Sequence, residues 1–586
     1  MFSFNQLNQK RIVLLYIIIM ILSGIVFFKL YTISISDYSI VLPTLTNQYT
    51  RKFSVSERRG FIFDRNGNII AGFDDVFNCI IDPSKIPWSN DFIQYAKFNS
   101  FEDINKYEEF DKFTQEIFEM CVNANISKED ISDFILQGKP FVLRIRENIS
   151  NGYMTSFQTY KRNESSNPPA LHITGYINKE GDGIGGIEEK YNDFLKIKTS
   201  AKIEAVYDSD ALQQSFGGSP IRIINYGYNI KTGIELTLDI NLQKRTEEIA
   251  DKYLNKGAIV VASASTGEIL ASVSRPVYSL DNISDYIDSE NGEFINRAFC
   301  SFTPGSIFKT IIAAAALEYD KDNYFKEYEC TGIIDAGGKD FKCHKRTGHG
   351  NMTMCEAYAE SCNTYFMNLA LEIGYEKIYE AAKKLGLGEK SLLDGLSIKS
   401  GNIPEKINPP PAFIANTAIG QGELLITPLE AARIFCCIAN NGVMPELSII
   451  KSFIFENKKS DVNNLNSKKA LSDYTIECLL EMTQACVEYG TGSAAAPEFG
   501  IAGGKTSSAE SGQYTEEEIF NPDNGEIEIQ KIQIVHSWFS GYYPAGNIPE
   551  TSVYAISVIA EGGVTENIKS AVIFKEICDY LSTVLR

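Results

Sequence analysis

The sequence has no excess of basic residues: 55 Lys and Arg stand against 75 Asp and Glu, a formal net charge of −20. A nucleic-acid partner needs a cationic face to neutralise phosphates, so this balance argues against DNA or RNA binding. No long low-complexity tract interrupts the chain, and its 44% hydrophobic and 22% charged content is that of folded domains. The acidity reads as a solvated bulk surface. At 586 residues the chain is too long for one ordinary core, so two or three domains are expected. Histidine is scarce, with four in all.

Long apolar runs are equally scarce. Residues 12–28 are apolar except for Ser23 and Gly24, and 30–33 continue the run beyond Lys29. As a helix the stretch spans about 33 Å, enough for the hydrocarbon core, and Lys29 near its end can snorkel toward the headgroups. Lys10 and Arg11 precede it, so the positive-inside rule keeps residues 1–11 as a cytoplasmic tail and the bulk of the chain outside. A cleaved signal peptide is the competing reading. Its apolar region is normally shorter, and only Ser34-Ile35-Ser36 faintly offers a small-x-small cleavage site. No second run approaches this length, so one membrane pass over 12–33 is expected, at the cell membrane and with an extracytoplasmic bulk.

Residues 34–228 carry no catalytic punctuation. Residues 59–71 read as strand, turn and strand around Asn66-Gly67. Residues 100–135 are polar and helix-permissive. Gly183-Ile184-Gly185-Gly186-Ile187-Glu188-Glu189 is a glycine-rich turn entering a helix; without a following Lys-Ser/Thr pair it reads as a packing turn rather than a phosphate loop. From residue 229 the texture changes. Residues 258–262 and 268–273 flank Ser265-Thr266-Gly267 as a hairpin, and 505–508, 533–542 and 553–560 read as three further strands. A helical block over roughly 304–495 lies between the two strand sets. That order predicts an α+β domain over 229–586, an antiparallel sheet covered by helices. The polar stretches 458–469 and 511–531 are expected as surface loops. Cys79, Cys436, Cys437, Cys478 and Cys578 sit in apolar surroundings that suit buried free thiols.

Ser306-Ile307-Phe308-Lys309 follows Pro304-Gly305 and leads into an alanine-rich helix former. Ser306 would lie on the first turn, with Lys309 one turn on and on the same face. A serine hydroxyl is a poor nucleophile until a base takes its proton, which a buried lysine of lowered pKa can do. The helix N-terminus also favours negative charge developing there. Alone, serine and lysine at this spacing mean little. Two further segments give the pair weight: Ser361-Cys362-Asn363, about 55 residues later, and Lys505-Thr506-Ser507-Ser508 after Gly503-Gly504. A serine–lysine pair, then S-x-N, then a K-T strand is the order found in serine enzymes that recognise penicillin.

On these residues the chain resembles a class B penicillin-binding protein along nearly its whole length. Asn296-Arg297-Ala298, Ile419-Gly420-Gln421-Gly422-Glu423 before Thr427-Pro428, Gly490-Thr491-Gly492-Ser493-Ala494 and His536-Ser537-Trp538-Phe539 add to the likeness, as do 59–71 and 183–188 in the non-catalytic part. The resemblance implies the penicillin-binding transpeptidase fold on 229–586, an elongated pedestal on 34–228 and one transmembrane helix. It implies a peptidoglycan D,D-transpeptidase that crosslinks stem peptides ending in D-Ala-D-Ala, releases D-Ala and is acylated by β-lactam antibiotics. Ser306 would be the nucleophile and Lys309 its base, Ser361 and Asn363 would relay a proton and hold the substrate amide, and Lys505 and Thr506 would bind the terminal carboxylate. The N–H groups of Ser306 and Ser508 would form the oxyanion hole. No organic cofactor is implied. A membrane glycosyltransferase of the SEDS type is the expected partner, because the roughly 190 residues before the catalytic domain match pedestal phrases. Elongation, septation and spore formation are the roles such proteins fill. The family pattern is usually K-T-G, and here Ser507 takes the glycine position; its hydroxymethyl fits if it points off the substrate face. Two rivals stand beside this reading: a D,D-carboxypeptidase or β-lactamase-like hydrolase in which water replaces the acceptor amine, and a penicillin-binding sensor or scaffold with little activity.

Cys330, Cys343, Cys355, Cys362, His344 and His349 fall within 33 residues. Thiolate and imidazole are the preferred zinc ligands, and four make a closed structural site. The spacing Cys-x12-Cys-x5-His-x12-Cys selects Cys330, Cys343, His349 and Cys362, with His344 the obvious substitute for His349. Some proteins of the class it resembles carry zinc beside the S-x-N segment, which here would pin Ser361 and Asn363. A Cys330–Cys343 disulfide, natural outside the cell, and unpaired buried thiols are the alternatives.

Overall fold

A computed structural model of the chain describes residues 2–32, 49–71, 73–86, 137–145, 154–162, 167–178, 180–198, 201–212, 214–216, 219–227, 230–389, 392–462, 467–521, 526–546, 553–562 and 569–584. The helix-permissive segment 100–135 and the Ser34-Ile35-Ser36 site lie outside them. Helix α1 (Phe2–Tyr31) contains Gln9–Tyr31, which is long and apolar enough to cross a membrane; among the described residues no other helix is. Its apolar side chains, Phe27 and Met20 among them, are exposed, as suits a lipid-facing segment.

By internal contacts the chain divides into two units. The first comprises Met1–Arg58, Asp74–Lys161 and Ala201–Asn229; the second comprises Arg59–Phe73, Arg162–Ser200 and Ile230–Arg586. Beyond α1, the first unit holds two three-stranded sheets. In one, Ala201–Asp208 runs between Thr50–Arg58 and Arg222–Tyr226. In the other, Phe73–Ile81 lies between Phe141–Ile145 and Met154–Arg162. Asp82 links local turn to sheet, accepting from Ser84 and Ser215.

In the second unit, Phe61–Phe63 and Ile69–Ala71 form the hairpin expected around Asn66-Gly67, with Gly67 at φ +83°. The Gly183–Glu189 turn is a packing turn: a Cβ on Gly183 would lie 1.9 Å from Glu188 O, and one on Gly186 2.1 Å from Ile173 O. Only glycine fits such backbone contacts. Arg59 and Glu188 lock this region through a buried ion pair at 2.7 Å.

A five-stranded antiparallel sheet in this unit draws on residues 257–275 and 503–560. Strands β1 (Gly257–Ser263), β2 (Ile269–Arg275), β3 (Gly503–Asn521), β4 (Glu526–Tyr543) and β5 (Tyr554–Ala560) are arranged β2-β1-β5-β4-β3, all antiparallel. Alternation along β1 directs Ile259 and Val261 into one core and Ala258, Val260 and Ala262 into another. The first core packs α2 (Ile240–Tyr253) and the C-terminal helix Lys569–Val584 against the sheet. The second, larger core packs α3 (Lys309–Tyr319), α4 (Met354–Ala359), α5 (Asn363–Ile373), α6 (Pro428–Ala439) and α7 (Asp473–Glu488). This is the sheet-and-helix layering expected from the strand order. The predicted buried thiols Cys79, Cys436, Cys437, Cys478 and Cys578 are all buried, and every described cysteine is free.

Two expected loops are strands instead. Residues 511–531 belong largely to β3 and β4, which pair from Gly503↔Tyr542 out to Asn521↔Glu526. The period-2 alternation of Glu526-Ile527-Glu528-Ile529 and Ile532-Gln533-Ile534 drives this, and polar composition masked it. Within 458–469, Lys458–Asp461 pairs with Ile450–Phe455, and Lys468–Lys469 pairs with Val443–Met444. The 304–495 block likewise contains short hairpins, Tyr328–Cys330 with Gly350–Met352 and Ile333–Asp335 with Asp340–Lys342.

Candidate active site

Ser306 sits in a single 3-10 turn, Gly305–Phe308, that runs directly into α3. The segment before it is tied down from several sides. Phe302 exchanges both backbone hydrogen bonds with Ile426 at 2.8 Å, Gly305 N–H donates to Gly420 O at 3.0 Å, and Trp538 Nε1–H donates to Thr303 O at 3.2 Å. Gly305 has φ +54°, and a Cβ there would lie 2.3 Å from Ser507 Oγ. The turn therefore requires glycine on both conformational and steric grounds.

Lys309 begins α3 and is fully buried. Its Nζ donates to Ser361 O at 2.6 Å, to Asn363 Oδ1 at 2.7 Å and to Ser361 Oγ at 3.3 Å. Those partners stand at the junction of α4 and α5 rather than inside one helix. Ser361 takes the left-handed conformation, φ +55°, which turns the chain between the two helices; a serine held there costs about 1–3 kcal/mol, supplied by its surroundings. The turn is closed by Ser361 N–H to Tyr358 O (3.1 Å) and Cys362 N–H to Ala357 O (2.8 Å).

On β3, Lys505 and Ser507 face inward and are buried, whereas Thr506 and Ser508 face the open side. Lys505 Nζ donates to Thr506 O at 3.3 Å and Oγ1 at 3.4 Å, and lies 5.5 Å above the Tyr358 ring. Ser507 Oγ donates to Pro304 O at 2.8 Å, so its hydroxyl is directed away from the cleft, as a serine at the usual glycine position must be. Ser306, Ser361, Asn363, Thr506, Ser507 and Ser508 line one cleft of about 750 Å³. All eight residues singled out for catalysis and substrate binding thus meet at one place.

The two lysines set the electrostatics. Both amines rest on neutral oxygens. Burial pushes the Lys309 amine down to about 7, helped by the nearby Lys505 charge; burial also lowers Lys505. A serine one turn before a lysine that titrates near 7, with a second buried lysine on β3, suits nucleophilic attack on an acyl group carrying a carboxylate. Three contributors escaped the sequence reading. Thr491 lines the cleft and shares a 2.7 Å hydrogen bond with Thr506 Oγ1, Tyr358 underlies Lys505, and Trp538 holds Thr303. Thr491 and Trp538 stood in phrases noted above; nothing distinguished Tyr358.

Cys330, Cys343, His349 and Cys362 converge on one another, with all four ligand atoms within 4.8 Å. Cys330 Sγ–His349 Nδ1 is 3.4 Å, Cys343 Sγ–His349 Nδ1 3.6 Å and Cys343 Sγ–Cys362 Sγ 4.0 Å. A tetrahedron with metal–sulfur bonds of about 2.3 Å has edges of about 3.8 Å, so the donor set can hold a metal ion. His344 Nδ1 is 3.8 Å from Cys343 Sγ, but His344 is outside the converging set.

Residues 257–579, more than half of the chain, match the family described as penicillin binding protein transpeptidase domain. The chain belongs to this family. The peptidoglycan D,D-transpeptidase MrdA of Haemophilus influenzae is 25% identical, the alignment covering 98% of this chain and 92% of that one. Stage V sporulation protein D of Bacillus subtilis is 26% identical over 80% and 72% of the two chains. Among solved structures, the complex between penicillin-binding protein 2 and MreC from Helicobacter pylori matches with TM-score 0.61 at 21% identity, covering 91% of this chain and 99% of that one. Penicillin-binding protein 3 of Mycobacterium tuberculosis, complexed with aztreonam, gives 0.59 at 19%, covering 91% and 97%. These structures share the fold of this penicillin-binding transpeptidase.

Proposed function

We propose that this penicillin-binding transpeptidase crosslinks peptidoglycan stem peptides through an acyl-enzyme on Ser306. The observation that carries the proposal is the convergence of Ser306, the Lys309–Ser361–Asn363 hydrogen bonds and the Lys505–Thr506 strand on one cleft. The terminal carboxylate of a D-Ala-D-Ala stem meets Thr506 and the positive field of Lys505. Ser306 Oγ attacks the penultimate D-Ala carbonyl while the neutral Lys309 amine takes its proton. The N–H groups of Ser306 and Ser508 hold the oxyanion. Collapse breaks the peptide bond, and the proton leaves with the terminal D-Ala amine. An amine from a neighbouring stem then attacks the ester, loses its proton to the site and releases Ser306. β-Lactams present the same carboxylate and acyl carbon and leave Ser306 acylated.

A fluorescent penicillin labels the full-length protein in this scheme and fails to label Ser306→Ala. Incubation with a D-Ala-D-Ala donor and an acceptor stem yields crosslinked product and free D-Ala. Release of D-Ala without crosslinking would instead identify a hydrolase.

Gln9–Tyr31 is the proposed single-pass anchor, with Lys10 and Arg11 favouring a cytoplasmic N-terminus and an extracytoplasmic catalytic domain. A SEDS-type glycosyltransferase is the proposed membrane partner. Cys330, Cys343, His349 and Cys362 are the proposed ligands of a structural zinc ion. Zinc would supply a crosslink between the Cys330–His349 hairpins and the turn carrying Ser361 and Asn363.

A further inference from the structure

The residue that replaces glycine in the Lys505-Thr506 strand has a task that glycine cannot perform. Ser507 is 4% exposed and donates from Oγ to Pro304 O at 2.8 Å. Pro304 precedes Ser306 by two residues, and Ser507 immediately precedes Ser508. The bond therefore joins the two segments whose N–H groups hold the oxyanion in the proposed reaction, one on a helical turn and one on a strand. Each segment is otherwise fixed by its own neighbours: the turn by Ile426 and Gly420, the strand by β4. Gly305 leaves the space that the hydroxyl fills, since a Cβ at 305 would meet Ser507 Oγ at 2.3 Å.

We propose that Ser507 is a positioning residue that sets the separation of the two oxyanion donors and so the acylation rate of Ser306. An oxyanion hole works only when its donors are about 2.7–3.1 Å from the oxygen as charge develops. A hydrogen bond between the two supporting segments removes the slack between those donors. Its benefit falls on the transition state. Ground-state binding depends on Thr506 and Lys505, and proton transfer depends on Lys309; neither passes through Pro304. The proposal rests on the transpeptidase reading above.

The test compares full-length protein with S507A, S507G and S507T, using a fluorescent penicillin in rapid-mixing experiments across pH, with thermal unfolding alongside. S507A and S507G should acylate about 10-fold more slowly, as loss of one buried hydrogen bond predicts. The dissociation constant of the complex before acylation and the pH midpoint should be unchanged, and S507T, which keeps the hydroxyl, should recover most of the rate. S507A acylating as fast as the parent overturns the proposal, as does a slowed S507A whose loss lies wholly in the dissociation constant or in a shifted pH midpoint. A parent that takes no label at Ser306 overturns the transpeptidase reading itself.

Discussion

Lys309 Nζ and Asn363 Oδ1 meet at 2.7 Å, and the lysine that makes this contact has no exposed surface. The contact orients the amine without giving it a counter-charge. An ammonium so placed loses its water and gains only neutral acceptors, which is why it titrates near neutrality rather than above pH 10.

The pH dependence follows with a definite sign. With Lys309 as the proposed base, the reactive form is the neutral amine, present above about 7 and lost below it. Acylation by a β-lactam should therefore plateau above about pH 7 and fall about tenfold per unit below it. A rate that stays level from pH 7 down to about 5.5 would remove Lys309 as the base.

Changing the partner should move that midpoint. Asn363→Asp introduces an anion 2.7 Å from the amine, favouring the ammonium and raising the midpoint by about one unit or more. Asn363→Ala leaves the amine unoriented and should slow acylation about 100-fold with little change in binding. Rate profiles of the two variants distinguish the charge effect from the orientation effect.

Lys505→Met and Thr506→Val should raise KM for D-Ala-D-Ala donors by about 10- to 100-fold, since in the proposed reaction each removes an interaction with the terminal carboxylate. The same variants should treat a donor methylated at that carboxylate almost as the parent does. Equal losses on both donors would assign Lys505 to packing.

Elemental analysis of purified protein should find one zinc per chain. Cys362→Ser should lower both metal content and melting temperature, and slow acylation through the Ser361–Asn363 turn. Absence of zinc in protein purified without chelators would reject the metal site.

The Arg59–Glu188 pair is buried on both sides, 7% and 1% exposed, and Arg59 also donates to Glu188 O and Asn192 Oδ1. Glu188→Ala should destabilise the second unit by about 3–5 kcal/mol, because it removes the carboxylate paired with a buried guanidinium. Thermal unfolding and limited proteolysis should report this loss, while acylation of the folded fraction at low temperature stays unchanged.

The site was far more legible in the sequence than its surroundings. Ser306, Lys309, Ser361, Asn363 and Lys505 stand in three short segments whose order along the chain resembles the family pattern, and the fold brings those segments to one cleft. The hairpins within 304–495 were hidden because each strand is only three residues long, too short for a period to register. The outer halves of β3 and β4 are so rich in Glu and Gln that composition alone points to a loop. Tyr358 beneath Lys505 had no signal at all: an aromatic on a buried helix is ordinarily core. Ser507 stands in the sequence only as a departure from K-T-G; its direction is set by Pro304, which the fold places opposite it.

The strand order β2-β1-β5-β4-β3 has a consequence for how the enzyme comes into being. Its central strand, β5, is the last to be synthesised, and it pairs with β1 across roughly 300 residues, Gly257 against Ala560. Until β5 arrives, the β2–β1 pair and the β4–β3 pair that bears Lys505 have no strand to join them. Such distant pairing is slow and late. A chain emerging from its N-terminus therefore carries Ser306 through roughly 250 further residues before β5 can complete the sheet.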